Sequence, residues 1–146
     1  MENLKTWRGR NGARYTYDPA TEIITLEFDK RETAFWISNE GDMRRHFQDV
    51  QQFWRENCEG KKVYWLLNYD NFSVNHEVLP GYIEHLRDVM AETAHAAVRY
   101  GGSFDQRSVS RFTNQKAHLN ANICKTREEA LQYIGELKAG VRRADG

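Results

Sequence analysis

The hydrophobic pattern is clearest between Lys61 and Val74, KKVYWLLNYDNFSV. Val63, Tyr64, Trp65, Leu66 and Leu67 form an unbroken apolar run, and the chain then turns polar at Asn68, Tyr69, Asp70 and Asn71. A short apolar run rich in aromatic and branched side chains predicts a strand covered on both faces. The polar cluster behind it predicts a loop at that strand's C-terminal end, where open α/β sheets usually meet ligands and partners.

The rest of the pattern surrounds this strand. Residues 1–13 read as an arm, with Trp7 as its one bulky anchor. Arg14–Tyr17 and Glu22–Phe28 read as a hairpin, because Asp18-Pro19-Ala20-Thr21 has turn chemistry and Ile24, Leu26 and Phe28 alternate. Thr33–Ser38 is a further expected strand. Asn39 or Asp42 is the candidate cap of a first helix, whose inner face is Met43, Phe47, Val50 and Trp54 and whose end is Gly60. Pro80 suits the first turn of a second helix, with Ile83, Leu86, Met90 and Ala94 facing inward. Ala96–Tyr100 reads as a strand stopped by Gly101-Gly102.

Ser103 and Gln106 have the spacing of a capping box and predict a third helix with Val109, Phe112 and Ala117 inward. A short strand centres on Ile123. Thr126 and Glu129 form a second capping box, and Ala130, Ile134 and Leu137 give the last helix its stripe. The order is β-β-β-α-β-α-β-α-β-α, and its alternating second half needs parallel strands joined by crossover helices. The expected division is an arm at 1–13, one α/β domain at 14–139 and a fraying tail at 140–146.

Composition narrows the partners. The 146 residues are 40% hydrophobic, enough for one domain with a core of its own. The 21 basic and 21 acidic residues cancel, which removes the general electrostatic case for nucleic acid or an anionic membrane. Low colloidal repulsion also leaves room for a homodimer through a sheet edge or an apolar patch. Cys58 and Cys124 stand in no metal-ligand spacing, so reduced thiols in a cytoplasmic protein are expected. No signal-peptide core and no membrane-spanning apolar run is seen. His46 reads as a solvent-facing or hydrogen-bonded histidine, and His85 with His95 makes no metal motif.

Two stretches carry candidate chemistry. In the first, Asp70 between Asn68, Asn71 and Phe72 can orient a ligand or accept a proton. The same residues can equally close an Asx-type turn on their own backbone. The second is Arg99-Tyr100-Gly101-Gly102-Ser103, a strand, a glycine turn and a helix start. Its N–H groups suit a small anion or a plain turn and cap. It matches neither a Walker loop nor a dinucleotide fingerprint. No residue pair has the context of a nucleophile and base, so no catalytic residue, cofactor or metal is expected.

LLNYDNFSVN, VRYGGSF and TREEALQYI, in this element order, resemble the STAS domains of SpoIIAA-like type, including the STAS-like module fused to some bacterial CoA-transferase-type enzymes. NYDNF is the most specific piece. The resemblance implies a mixed, mostly parallel sheet with about four helices largely on one face. It also implies regulation by protein–protein contact without catalysis, through a surface centred here on Asp70 to Val78. Where the classical members carry an Asp-Ser-Ser-Gly-like phosphorylation stretch, this chain has Ser73-Val74-Asn75-His76-Glu77, so a phosphoswitch is not supported.

The expected working face is Asn68, Tyr69, Asp70, Asn71, Phe72, Ser73 and His76 together with Arg99, Tyr100, Gly101, Gly102 and Ser103. In it Tyr69, Phe72 and Tyr100 would supply apolar contact and Arg99 a charged anchor. The rival reading is an accessory module of an enzyme system that binds a small anion, a nucleotide, or an acyl-CoA or lipid.

Overall fold

The computed structural model of the protein describes residues 4–9, 12–31, 35–119 and 122–141. Among these residues six strands form one mixed sheet: β1 (Lys5–Arg8), β2 (Ala13–Asp18), β3 (Ile23–Phe28), β4 (Val63–Asn68), β5 (Ala94–Tyr100) and β6 (Ile123–Cys124). The described residues also hold four α-helices: α1 (Glu40–Asn57), α2 (Leu79–Thr93), α3 (Phe104–Lys116) and α4 (Arg127–Lys138). The strands lie in chain order across the sheet, β1 to β6. The first two pairings are antiparallel and the last three parallel. The crossover helices α1 and α2 pack on one face of the sheet, as expected of crossovers of one hand that step the same way.

That geometry divides the core in two. Val63, Trp65 and Leu67 of β4 point to one face, where they meet Ile24, Leu26 and Phe28 of β3 and the stripes of α1 and α2. Leu66 points the other way, into a smaller cluster with Val98 of β5 and Ala130, Ile134 and Leu137 of α4. The run VYWLL is therefore covered on both faces, as its unbroken hydrophobicity requires. Two indole tips inside are satisfied: the Trp65 indole donates to Thr93 Oγ1 at 3.1 Å, and the Trp54 indole to the Lys61 carbonyl at 2.8 Å.

Several elements depart from their expected form. Part of the expected arm is β1, an edge strand held by pairing with β2. Trp7 stacks on Phe53 at 6.1 Å and lies 5.3 Å from Tyr15, while Arg8 and Arg14 both reach Asp29. The edge is short and carries Lys5 and Arg8, both exposed, features that discourage strand addition.

The expected strand at Thr33–Ser38 is no strand over 35–38, and 32–34 lie outside the described residues. Ile37 makes a single bridge to Val74 there. Asn39, not Asp42, caps α1, accepting from the Asp42 N–H at 2.8 Å. The buried stripe of α2 is Tyr82, Leu86, Val89, Met90 and Thr93, while Ile83 and Ala94 are half-buried. Of the three inward residues expected on α3, Ala117 is buried, Val109 half-buried and Phe112 exposed. Its buried positions include Ser110, Thr113 and Asn114 instead. Cys124 is half-buried on a two-residue edge strand, not enclosed in the core. Both cysteines are free thiols, and burial pushes the Cys58 thiol up to about 11. Of the expected tail, residues 142–146 lie outside the described part.

Candidate functional site

β4 and β5 are parallel neighbours, so their C-terminal exits emerge side by side, with Asn68 opposite Tyr100. The two loops that follow are locked to one another. The Tyr69 N–H donates to the Tyr100 carbonyl at 2.9 Å, and the Gly102 N–H donates to Asp70 Oδ1 at 3.0 Å. Asn68 Oδ1 accepts the Asp70 N–H at 3.0 Å, which closes an Asx turn.

Gly101 must be glycine. Its φ is +79°, and a Cβ there would lie 2.5 Å from Asp70 Oδ1. The expected anion cradle is thus occupied at Gly102 by the protein's own carboxylate. The next donors are spoken for as well: Ser103 and Gln106 close their capping box, and Gln106 Nε2 donates to the Phe72 carbonyl at 2.8 Å. Arg107 Nη1 donates to the Gly102 carbonyl at 2.7 Å.

All twelve expected site residues lie on these two loops and the strand ends that feed them, but they divide by exposure. Asp70, Asn71, His76 and Ser103 are exposed, and Asn68, Ser73, Gly101 and Gly102 are half-buried. Tyr69, Phe72, Tyr100 and Arg99 are buried, which corrects their expected role as contact area and charged anchor. Tyr100 points to the α4 side, away from the others. Arg99, 1% exposed, lies beneath the face, with Nε 3.4 Å from the Tyr69 hydroxyl and Nη1 donating to the Ala97 carbonyl at 3.2 Å.

Tyr69 is hydrogen-bonded to Tyr82, whose phenol is held well above its ordinary range, by burial first and by Tyr69 next. Ser73 is fastened through its backbone, its carbonyl accepting the N–H groups of Trp36 and Ile37 at 2.9 and 3.0 Å. Asn71 Nδ2 donates to the Phe28 carbonyl at 2.9 Å.

Beside the locked loops lies a cleft of about 180 Å3 that the sequence pattern did not signal. Its walls are Phe35, Tyr69, Phe72, Val74, Tyr82 and Val109, and Ser110, Thr113 and Asn114 supply polar groups from α3. His76 and Asp105 stand exposed on it. The inward polar stripe of α3 was the one available signal, and Phe112 masked it.

His46 is neither solvent-facing nor fully bonded. It is buried among the rings of Phe28, Trp36, Phe47 and Phe72, and its Nδ1 has no partner among the described residues. Burial lowers its pKa to about 4. His85 is exposed, with Nδ1 3.0 Å from the Gly81 carbonyl, and no group of three metal-ligating side chains occurs among the described residues. Nor is any described helix long and apolar enough to cross a membrane. Comparison with protein-family models, with curated proteins and with solved structures finds no match to this chain.

Proposed function

We propose that this protein is a non-enzymatic, cytoplasmic regulatory domain of STAS-like kind that works by protein–protein contact at the joined exits of β4 and β5. The observation that carries the reading is the lock between the two loops through Gly102 and Asp70. A face that must recognise a partner gains from being held before contact, because less ordering is then lost on binding. The exposed groups on that base are Asp70, Asn71, His76, Glu77, Ser103 and Asp105. They form a polar rim with three carboxylates, which favours a partner that brings basic or amide groups.

The test is a substitution on the rim that spares the buried tyrosines and Arg99. His76→Ala combined with Glu77→Lys should leave the circular dichroism spectrum unchanged and stability within about 0.5 kcal/mol. Partners captured from cytoplasm of the source cell by the wild-type protein should be lost. Capture that survives the double substitution would count against this face.

A further inference from the structure

We propose that α3 is a lid: it opens from the rest of the fold as a separate unit, so that the width of the cleft it borders is variable. The inference concerns how the cleft is covered and does not rest on the protein-contact reading.

Three observations converge on it. The first is the inner line of the helix. Ser110, Thr113, Asn114 and Ala117 recur at helical spacing and are buried. An apolar stripe is what normally docks a helix, because tertiary burial and not propensity supplies most of its stability. Here the line offers hydroxyls, an amide and one methyl group. Helix α4 presents Ala130, Ile134 and Leu137 to the sheet instead.

The second observation is where those polar groups turn. Among the described residues, none of the Ser110, Thr113 and Asn114 side chains hydrogen-bonds to the sheet or to α2. Asn114 Nδ2 folds back on its own helix, donating to the Ser110 carbonyl at 2.7 Å and lying 3.4 Å from Ser110 Oγ. Its Oδ1 is buried with no partner among the described residues. That oxygen costs free energy in the closed form and recovers it when opening admits water. Gln106 fastens α3 near its start, through the Phe72 carbonyl, and Leu119 packs against the larger core just past its end.

The third is weak support from the helix itself and from its surroundings. Ser108, Ser110, Thr113 and Asn114 compete for backbone groups, and Val109 and Thr113 are β-branched, so the 13-residue segment has little helical preference of its own. Packing does not make up for it. The cleft of about 180 Å3 lies beside α3, and a second space of about 230 Å3 lies past its end, bounded by Arg99, His118, Leu119 and Asn122. Few buried apolar contacts, low propensity and adjoining space are the marks of an element that opens before the rest.

The experiment is amide hydrogen exchange of the full chain in rising, non-denaturing urea. The mid-helix amides of residues 109–114, clear of end fraying, should exchange about 100-fold faster or more than those of α1 and β4. Their rates should hardly change with urea, because a local opening exposes little surface. Ser110→Ala combined with Asn114→Leu makes the inner line apolar and should slow exchange over 109–114 about tenfold.

Exchange over 109–114 that matches α1 and β4, and quickens with urea in step with them, would overturn the proposal, since α3 would then open only with the whole fold. Quicker exchange in the double variant would overturn it too, because the polar line would then be what holds the helix down. The wild-type comparison decides the matter even if the double variant does not fold.

Discussion

Helices α3 and α4 start alike and end up in opposite uses. Each opens with a capping box: Ser103 Oγ accepts the Gln106 N–H at 3.1 Å, and Thr126 Oγ1 accepts the Glu129 N–H at 3.2 Å. Thereafter α4 turns Ala130, Ile134 and Leu137 onto the sheet and makes a conventional apolar contact with β4 and β5. Helix α3 turns Ser110, Thr113 and Asn114 inward, leaves Phe112 49% exposed, and borders a cleft. A cap therefore sets where a helix begins and says nothing of what its inner face is for. The α4 side of the sheet is a closed apolar core, whereas the α3 side leaves a cleft.

The largest expected effect tests that division by truncation. Ile134→Ala removes a fully buried side chain from the smaller core and should cost about 2–5 kcal/mol in urea unfolding. Phe112→Ala on α3 removes a larger residue but should stay within about 0.5 kcal/mol. The Lys116 ammonium 5.4 Å from the Phe112 ring adds little at an exposed site. Comparable losses at both positions would erase the contrast between the helices.

The next effect depends on pH and belongs to the same side of the sheet as α3. Phe72 is the shared wall: its ring lies 6.0 Å from His46 and also lines the cleft. His46 is held neutral by burial, with its pKa lowered from 6.5 to about 4. Between those values the unfolded chain takes a proton that the folded protein refuses. Stability is thus fully present above pH 6.5, falls as the pH drops toward 4, and levels off below it. The gap corresponds to about 3 kcal/mol at roughly 1.4 kcal/mol per pH unit. His46→Phe, which suits a nest of rings, should flatten this slope in denaturant melts between pH 4 and 7. A slope that persists in the variant would assign it to other groups.

How far the chain could be read before its coordinates follows from the range of the forces involved. Runs and caps are local, so VYWLL, the α1 stripe, both capping boxes and the α4 stripe were legible. β1 was not, because KTWR shows no alternation and becomes a strand only by pairing with β2, a partner that the local pattern does not specify. The two loops could be placed together because parallel strands of one sheet share an exit end. Which of their residues face water could not. Tyr69 and Phe72 sit in a polar stretch and are buried beside Tyr82 of α2 and the inner face of α3, contacts that the local pattern does not specify. The cleft was hidden for the same reason: a polar residue such as Asn114 carries no mark of burial, and an aromatic such as Phe112 invites the assumption of it.

The smallest effect gives the sharpest comparison of the two helices. Ser103→Ala and Thr126→Ala each remove a side-chain cap and should each cost about 1 kcal/mol. Equal loss of stability need not bring equal loss of order elsewhere. Gln106, held by Ser103 in its capping box, also ties α3 to the Phe72 carbonyl at 2.8 Å, so the α3 cap is coupled to the 69–76 loop. Glu129 bonds back to the Thr126 N–H at 3.1 Å, within its own turn. Amide hydrogen exchange over residues 69–76 should therefore quicken in Ser103→Ala and stay near the wild-type rate in Thr126→Ala. The local opening in the first case exceeds what the shared change in global stability produces. Equal quickening in both variants would mean that the loop follows global unfolding alone and that α3 has no separate hold on the site.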